Sequence, residues 1–188
     1  MTEKTLQTVA VDTDVLYHLA EMKDCMQLDL TGRFFQELEY SPIMNERLCE
    51  HELENAPETV TEFFKSDIVQ KSKFIDKLKP SERRYYERVV KDIYKRLKGT
   101  DYPHESVFKG WTKGKSFGEV HSIAMCLLFQ ICIFLSDDSD SKKIERFVNS
   151  SMGVGNKIIV LTRKDAAANL PKSAFNRKER QKLTYKPK

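Results

Sequence analysis

Cysteine is sparse and scattered. The four, Cys25, Cys49, Cys126 and Cys132, form no CxxC pair, which speaks against a zinc ribbon or a disulfide framework and suits small buried residues in a reducing compartment. No clustered Cys/His set exists from which a zinc site could be built. The glycines nowhere follow a strand and open a helix in the GxGxxG pattern, so a dinucleotide fingerprint is not supported. No apolar run approaches membrane-spanning length, and the opening MTEKTLQTVAVDTDVL lacks the basic segment and long apolar stretch of a signal peptide. A soluble, cytoplasmic protein is expected. A chain of 188 residues fits one domain of ordinary size with a real core, here residues 1–188.

What the chain does have is concentrated in Gly118 to Asp140, GEVHSIAMCLLFQICIFLSDDSD. Val120, Ile123, Ala124, Leu127 and Leu128 repeat at helical spacing, and Ile131 to Leu135 is a solid apolar run short enough for a strand buried on both faces. The run ends in Ser136, Asp137, Asp138, Ser139 and Asp140. Crowded carboxylates repel and raise one another's pKa unless a cation holds them, and a hard divalent cation suits them. Asp138 or Asp140 also suits the N-terminus of a following helix, Ser141 to Asn149. Glu119, in the first turn of the preceding helix, borders its apolar stripe and can lean toward the sheet; His121 lies at the other border.

A second strand, Val9 to Val11, also finishes in carboxylates. Asp14 stands where a helix N-cap is expected, which leaves Asp12 as the site candidate. A helix from Asp29 to Tyr40 precedes an extended piece, Ser41 to Met44, and a helix from Asn45 to Leu53. Among Glu46, Glu50, Glu52 and Glu54, Glu46 lies nearest the strand end and is the chosen candidate, with Glu50 in reserve; most of these are ordinary solvated residues.

From 57 to 99 the pattern is helical throughout. Tyr85, Val89, Ile93 and Leu97 form one column of a clean helix, Tyr86, Val90 and Tyr94 the next, with arginine and lysine elsewhere; Gly99 ends it. Residues 100–117 are a basic loop holding Lys109, Lys113, Lys115 and the single tryptophan, Trp111. Trp111 either stacks a base or pins the loop to the body. Ile158 to Leu161 is another buried strand. The C-terminal segment 163–188 is strongly basic and suggests a polyanionic partner, with Arg177, Lys178 and Arg180 on a short helix, Ser173 to Leu183.

If the sheet is parallel, the ends bearing Asp12, Glu46, Asp137 and Asp138 share one edge, near Glu119, and form an oxygen-rich pocket for Mg²⁺ or Mn²⁺. A cation there can lower the pKa of water and neutralise charge on a phosphodiester. The segments VDTDVL, GEVHSIA and SDDSD, in this order around a buried strand, resemble those of the PIN-domain superfamily of metal-dependent nucleases, which includes ribonuclease toxins of toxin–antitoxin pairs. The resemblance covers about residues 8–55 and 117–162 and treats 57–99 as a helical insertion. It implies a Rossmann-like three-layer α/β/α sandwich with a mainly parallel sheet. It places Asp12, Glu46, Glu119, Asp137 and Asp138 in the catalytic set and Asp12, Glu119, Asp137, Asp138 and Asp140 on the metal. His121 stands where many relatives carry a further acid, and on that pattern it could ligate metal or phosphate. RNA is the expected substrate, held by Lys109, Lys113, Lys115, Arg177, Lys178 and Arg180. An antitoxin-type protein and a second copy of the chain are further candidate partners. The alternative is an inactive module of the same fold that binds RNA or protein.

Overall fold

The computed structural model describes residues 6–20, 27–53, 55–112, 116–151 and 157–184. Five strands form one sheet: β1 (Gln7–Val11), β2 (Tyr40–Asn45), β3 (Gln70–Ser72), β4 (Ile133–Leu135) and β5 (Ile159–Leu161). Their order is β3-β2-β1-β4-β5, and every neighbouring pair is parallel.

Alternation along the central strands divides the core in two. Val9 and Val11 of β1 and Ile133 and Leu135 of β4 face one apolar layer, while Ala10 and Phe134 face the other. Against the first face pack α1 (Thr13–Ala20), α2 (Gln27–Glu37), α4 (Glu58–Lys65), α8 (Arg163–Ala168) and α9 (Arg177–Thr184). Against the second pack α5 (Pro80–Lys98), α6 (Phe117–Phe129) and α7 (Ser139–Ser151). The fold is therefore a Rossmann-like three-layer α/β/α sandwich, as expected. No described helix is long and apolar enough to cross a membrane.

Several elements follow from local chemistry. In α5 the buried residues are Tyr86, Val90 and Tyr94, one column read from the sequence, with Val89 and Ile93 from the middle of the other, whose ends Tyr85 and Leu97 are half-buried, and Gly99 closes the helix at φ 71°. That left-handed conformation is open to glycine at little cost. At α9, Asn176 Oδ1 accepts from the Glu179 N–H at 3.0 Å and Glu179 Oε2 accepts from the Asn176 N–H at 2.8 Å, a reciprocal cap.

The stretch 57–99 is not helical throughout. After α4 it forms β3, an edge strand of three residues pairing with β2, then a 3₁₀ turn, Ile75–Lys77. The C-terminal segment is not a free basic tail either, since Phe175 and Leu183 are buried in the first core layer.

Candidate functional site

Strand order reverses direction beside β1: the chain builds outward through β2 and β3, then returns to place β4 on the other side of β1. The crevice at such a switch point, outside the carboxyl ends, is where open α/β sheets bind ligands. Val11 pairs with Leu135, and the Asp12 N–H donates to the Leu135 carbonyl at 2.9 Å, so the loops after β1 and β4 start side by side. A pocket of about 370 Å³ lies there, lined by Asp12, Asp14, Glu52, Glu119 and Asp138 together with Thr13, Tyr17 and His18.

Each carboxylate is held differently. Asp12, buried at the start of α1, accepts from the Thr13 N–H at 2.9 Å through Oδ1 and from Ser136 Oγ at 3.0 Å through Oδ2. Burial, then Asp14, Glu119 and Glu52, push its pKa well above the ordinary carboxylate range. Asp14 Oδ2 accepts the Asp137 N–H at 2.9 Å, while its Oδ1 is buried without a hydrogen-bond partner. Burial and the nearby Asp137 charge raise Asp14 to about 7. Burial raises Glu119 to about 7 as well, helped by Asp138 and Glu52. Glu119 and Asp138 stand in hydrogen-bonding reach of one another, an arrangement that a shared proton or cation relieves. Thr13 Oγ1 donates to Glu52 Oε2. Asp138 Oδ1 accepts from the Asp140 N–H at 2.7 Å, so this residue both caps α7 and lines the pocket.

Three of the expected site residues are engaged elsewhere. Glu46 Oε1 accepts the N–H groups of Phe74 (2.7 Å) and Ile75 (2.5 Å), tying α3 (Glu46–His51) to the turn after β3. Asp137 faces Arg163, whose Nε donates at 2.5 Å and whose N–H donates at 2.9 Å; His18 Nδ1 lies 2.9 Å from its Oδ2. Burial opposes ionisation of Asp137, but the Arg163 contacts outweigh it and its pKa falls below the usual range. Asp140 is taken by Lys143 at 2.7 Å, Lys98 at 3.4 Å and Ser116 Oγ at 3.2 Å. His121 is also removed from the pocket. It lies fully buried, with Tyr86 Oη 2.7 Å from Nδ1 and Tyr102 Oη 3.1 Å from Nε2, and burial drives its pKa to about 3.

Two pocket acids were not chosen from the sequence. Asp14, expected to cap α1, lies one residue inside the helix, after Asp12 and Thr13, and lines the pocket. Glu52 comes back to the sheet edge only because α3 is short, a path that periodicity does not reveal. Gly118 offered one signal: a Cβ there would stand 3.0 Å from Glu52 Oε1, so the glycine before Glu119 lets the two acids approach.

Of the expected nucleic-acid contacts, Lys109, Arg177 and Lys178 are exposed. Arg180 donates to the Phe175 carbonyl at 3.2 Å and to that of Pro171. Lys113 and Lys115 lie outside the described residues. Trp111 pins its loop, stacked on His51 at 5.0 Å and packed against Phe117 at 5.3 Å.

Among the described residues, no three acidic, histidine or cysteine side chains converge closely enough to hold a metal ion as they stand. The donor set nevertheless has the chemistry of a hard-cation site: it is all oxygen, self-repelling, and includes the buried, unpartnered Asp14 Oδ1. No protein-family model, curated protein or solved structure matches the chain.

Proposed function

We propose that this protein is a metal-dependent nuclease, with RNA as its substrate, and that Asp12, Asp14, Glu52, Glu119 and Asp138 hold Mg²⁺ or Mn²⁺. The observation that carries the reading is the gathering of these five acids at the switch point of the sheet, three of them with pKa values raised by burial and by one another. A divalent ion supplies the charge that relieves this repulsion, lowers the pKa of water and offsets charge on a phosphodiester. The chain's own contribution is positioning. Ser136 and Thr13 orient Asp12, the Asp137 N–H orients Asp14, and Thr13 orients Glu52. Exposed Lys109, Arg177 and Lys178 are available to backbone phosphates. The resemblance of VDTDVL, GEVHSIA and SDDSD to PIN-domain nucleases supports the same reading.

The test is incubation of purified protein with end-labelled single-stranded RNA, with Mn²⁺ or with EDTA. Cleavage is expected only with Mn²⁺, and Asp12→Asn and Glu52→Gln should each lower it by a factor of about 100 or more, the scale of removing a group that stabilises transition-state charge. Glu46→Gln should leave cleavage per folded molecule unchanged. Equal cleavage by Asp12→Asn and wild type would identify a contaminant and defeat the proposal.

A further inference from the structure

The groove between α5 and α7 has no part in the pocket, and its charge is of the opposite sign. Two adjoining hollows of about 400 and 700 Å³ share Arg96, Phe147 and Ser151. Arg88, Lys95, Arg96, Lys143 and Arg146 line them, against the single acid Asp92. We propose that this groove is a binding track for the backbone of single-stranded nucleic acid and leads it toward the acidic pocket. The destination, though not the groove itself, rests on reading that pocket as a phosphodiester site.

Three observations favour this occupant. First, the cations are available. Lys95 and Lys143 are held only by the surface pairs with Asp101 at 2.9 Å and Asp140 at 2.7 Å, and Arg88 and Arg146 have no carboxylate partner among the described residues. Exposed pairs of this kind contribute little and exchange readily for phosphate. Second, the groove is not purely ionic. The half-buried Phe147 ring lies in it with the Arg96 guanidinium 5.8 Å from its centroid, and rings and guanidinium planes are surfaces on which unpaired bases stack. An acidic peptide would match the charge but would leave that feature unused. Third, the groove is joined to the pocket. Lys98, in the last turn of α5, reaches Asp140 in the first turn of α7 at 3.4 Å, and the Asp140 N–H donates to Asp138, a pocket residue, at 2.7 Å. From Arg88 to Arg96 the helix advances about 12 Å, enough to meet more than one phosphate.

Binding is measured in EDTA by fluorescence anisotropy with a labelled oligouridylate, so that cleavage plays no part and failure of the nuclease reading leaves this test intact. Arg96→Gln/Arg146→Gln should weaken binding at least tenfold. It should also reduce the slope of log affinity against log salt by about 1.4, or about 0.7 for each lost contact. Lys65→Gln/Lys73→Gln, two exposed lysines away from the groove, should bind like the wild type. Thermal melting checks that both variants fold; should the double arginine variant melt early, Arg146→Gln alone is expected to show half the slope change. Wild-type affinity and slope in a folded Arg96→Gln/Arg146→Gln protein would overturn the proposal. So would polyglutamate or phosphatidylserine vesicles competing as well as RNA, which would assign the groove to an acidic protein or a membrane.

Discussion

The two oxygens of Asp14 have unequal surroundings. Oδ2 takes a backbone N–H from the loop after β4, while Oδ1 is buried with no partner. With burial and Asp137 raising its pKa to about 7, the ionised form is a destabilising presence above neutrality unless a cation compensates. Asp14→Asn keeps an acceptor for the Asp137 N–H and removes the charge. In EDTA at pH 8 it should therefore melt several degrees above wild type, since 1 kcal/mol corresponds to about 2–4 °C in a chain of this size. At pH 5 the two should melt together. With Mn²⁺ at pH 8 the wild type should gain stability and the variant gain less. A variant that melts lower at pH 8 would mean that Asp14 is a structural hydrogen-bonding group.

Among the elements, α8 and the loop after β4 are locked by one buried pair. Arg163 is 2 % exposed and gives Asp137 both its Nε and its backbone N–H, while its Nη1 donates to the Leu183 carbonyl of α9 at 3.3 Å. Removing one member of a buried pair costs about 3–5 kcal/mol. Arg163→Met should thus lower the urea midpoint sharply, and Arg163→Met/Asp137→Leu should recover part of the loss. A double variant no more stable than Arg163→Met would show that the ion pair was not the dominant contact.

The readability of elements from sequence followed burial. β1 and β4 were legible as apolar runs, as was α5 from its columns; β5 was legible as a strand but is not the buried one expected, since it lies at the sheet edge with Ile159 47 % exposed. β3 was not, because Gln70, Lys71 and Ser72 at the sheet edge carry no apolar alternation. Asp12, Glu119 and Asp138 were legible as acids beside buried strands or helix starts. The partners of Glu46 and Asp137 were not legible, because sequence shows that an acid is near an edge but not which N–H or guanidinium it faces.

For the whole molecule, opposite pKa shifts set the stability profile. Asp14 and Glu119 bind protons up to about pH 7, against ordinary values of 3.8 and 4.5. Between those limits the native chain holds protons that the unfolded chain has released, so rising pH favours unfolding. Asp137 and Asp140 are shifted down; their stabilisation is present above about pH 4 and is lost as pH falls through their depressed values. Metal-free protein should therefore melt highest in mildly acidic buffer and decline toward pH 8, with Mn²⁺ flattening the decline. A melting temperature that climbs steadily from pH 5 to pH 8 in EDTA would contradict these shifts.

The grip of Arg163 on the Leu183 carbonyl also has a consequence for biosynthesis. Asp137, which steadies Asp14 through its N–H, takes its own anchor from a side chain fastened near the far end of the described chain. While the ribosome still shields residue 183, the crevice wall has one of its ties missing. The loop after β4 thus gains its last tie to α9 only when translation has passed that point.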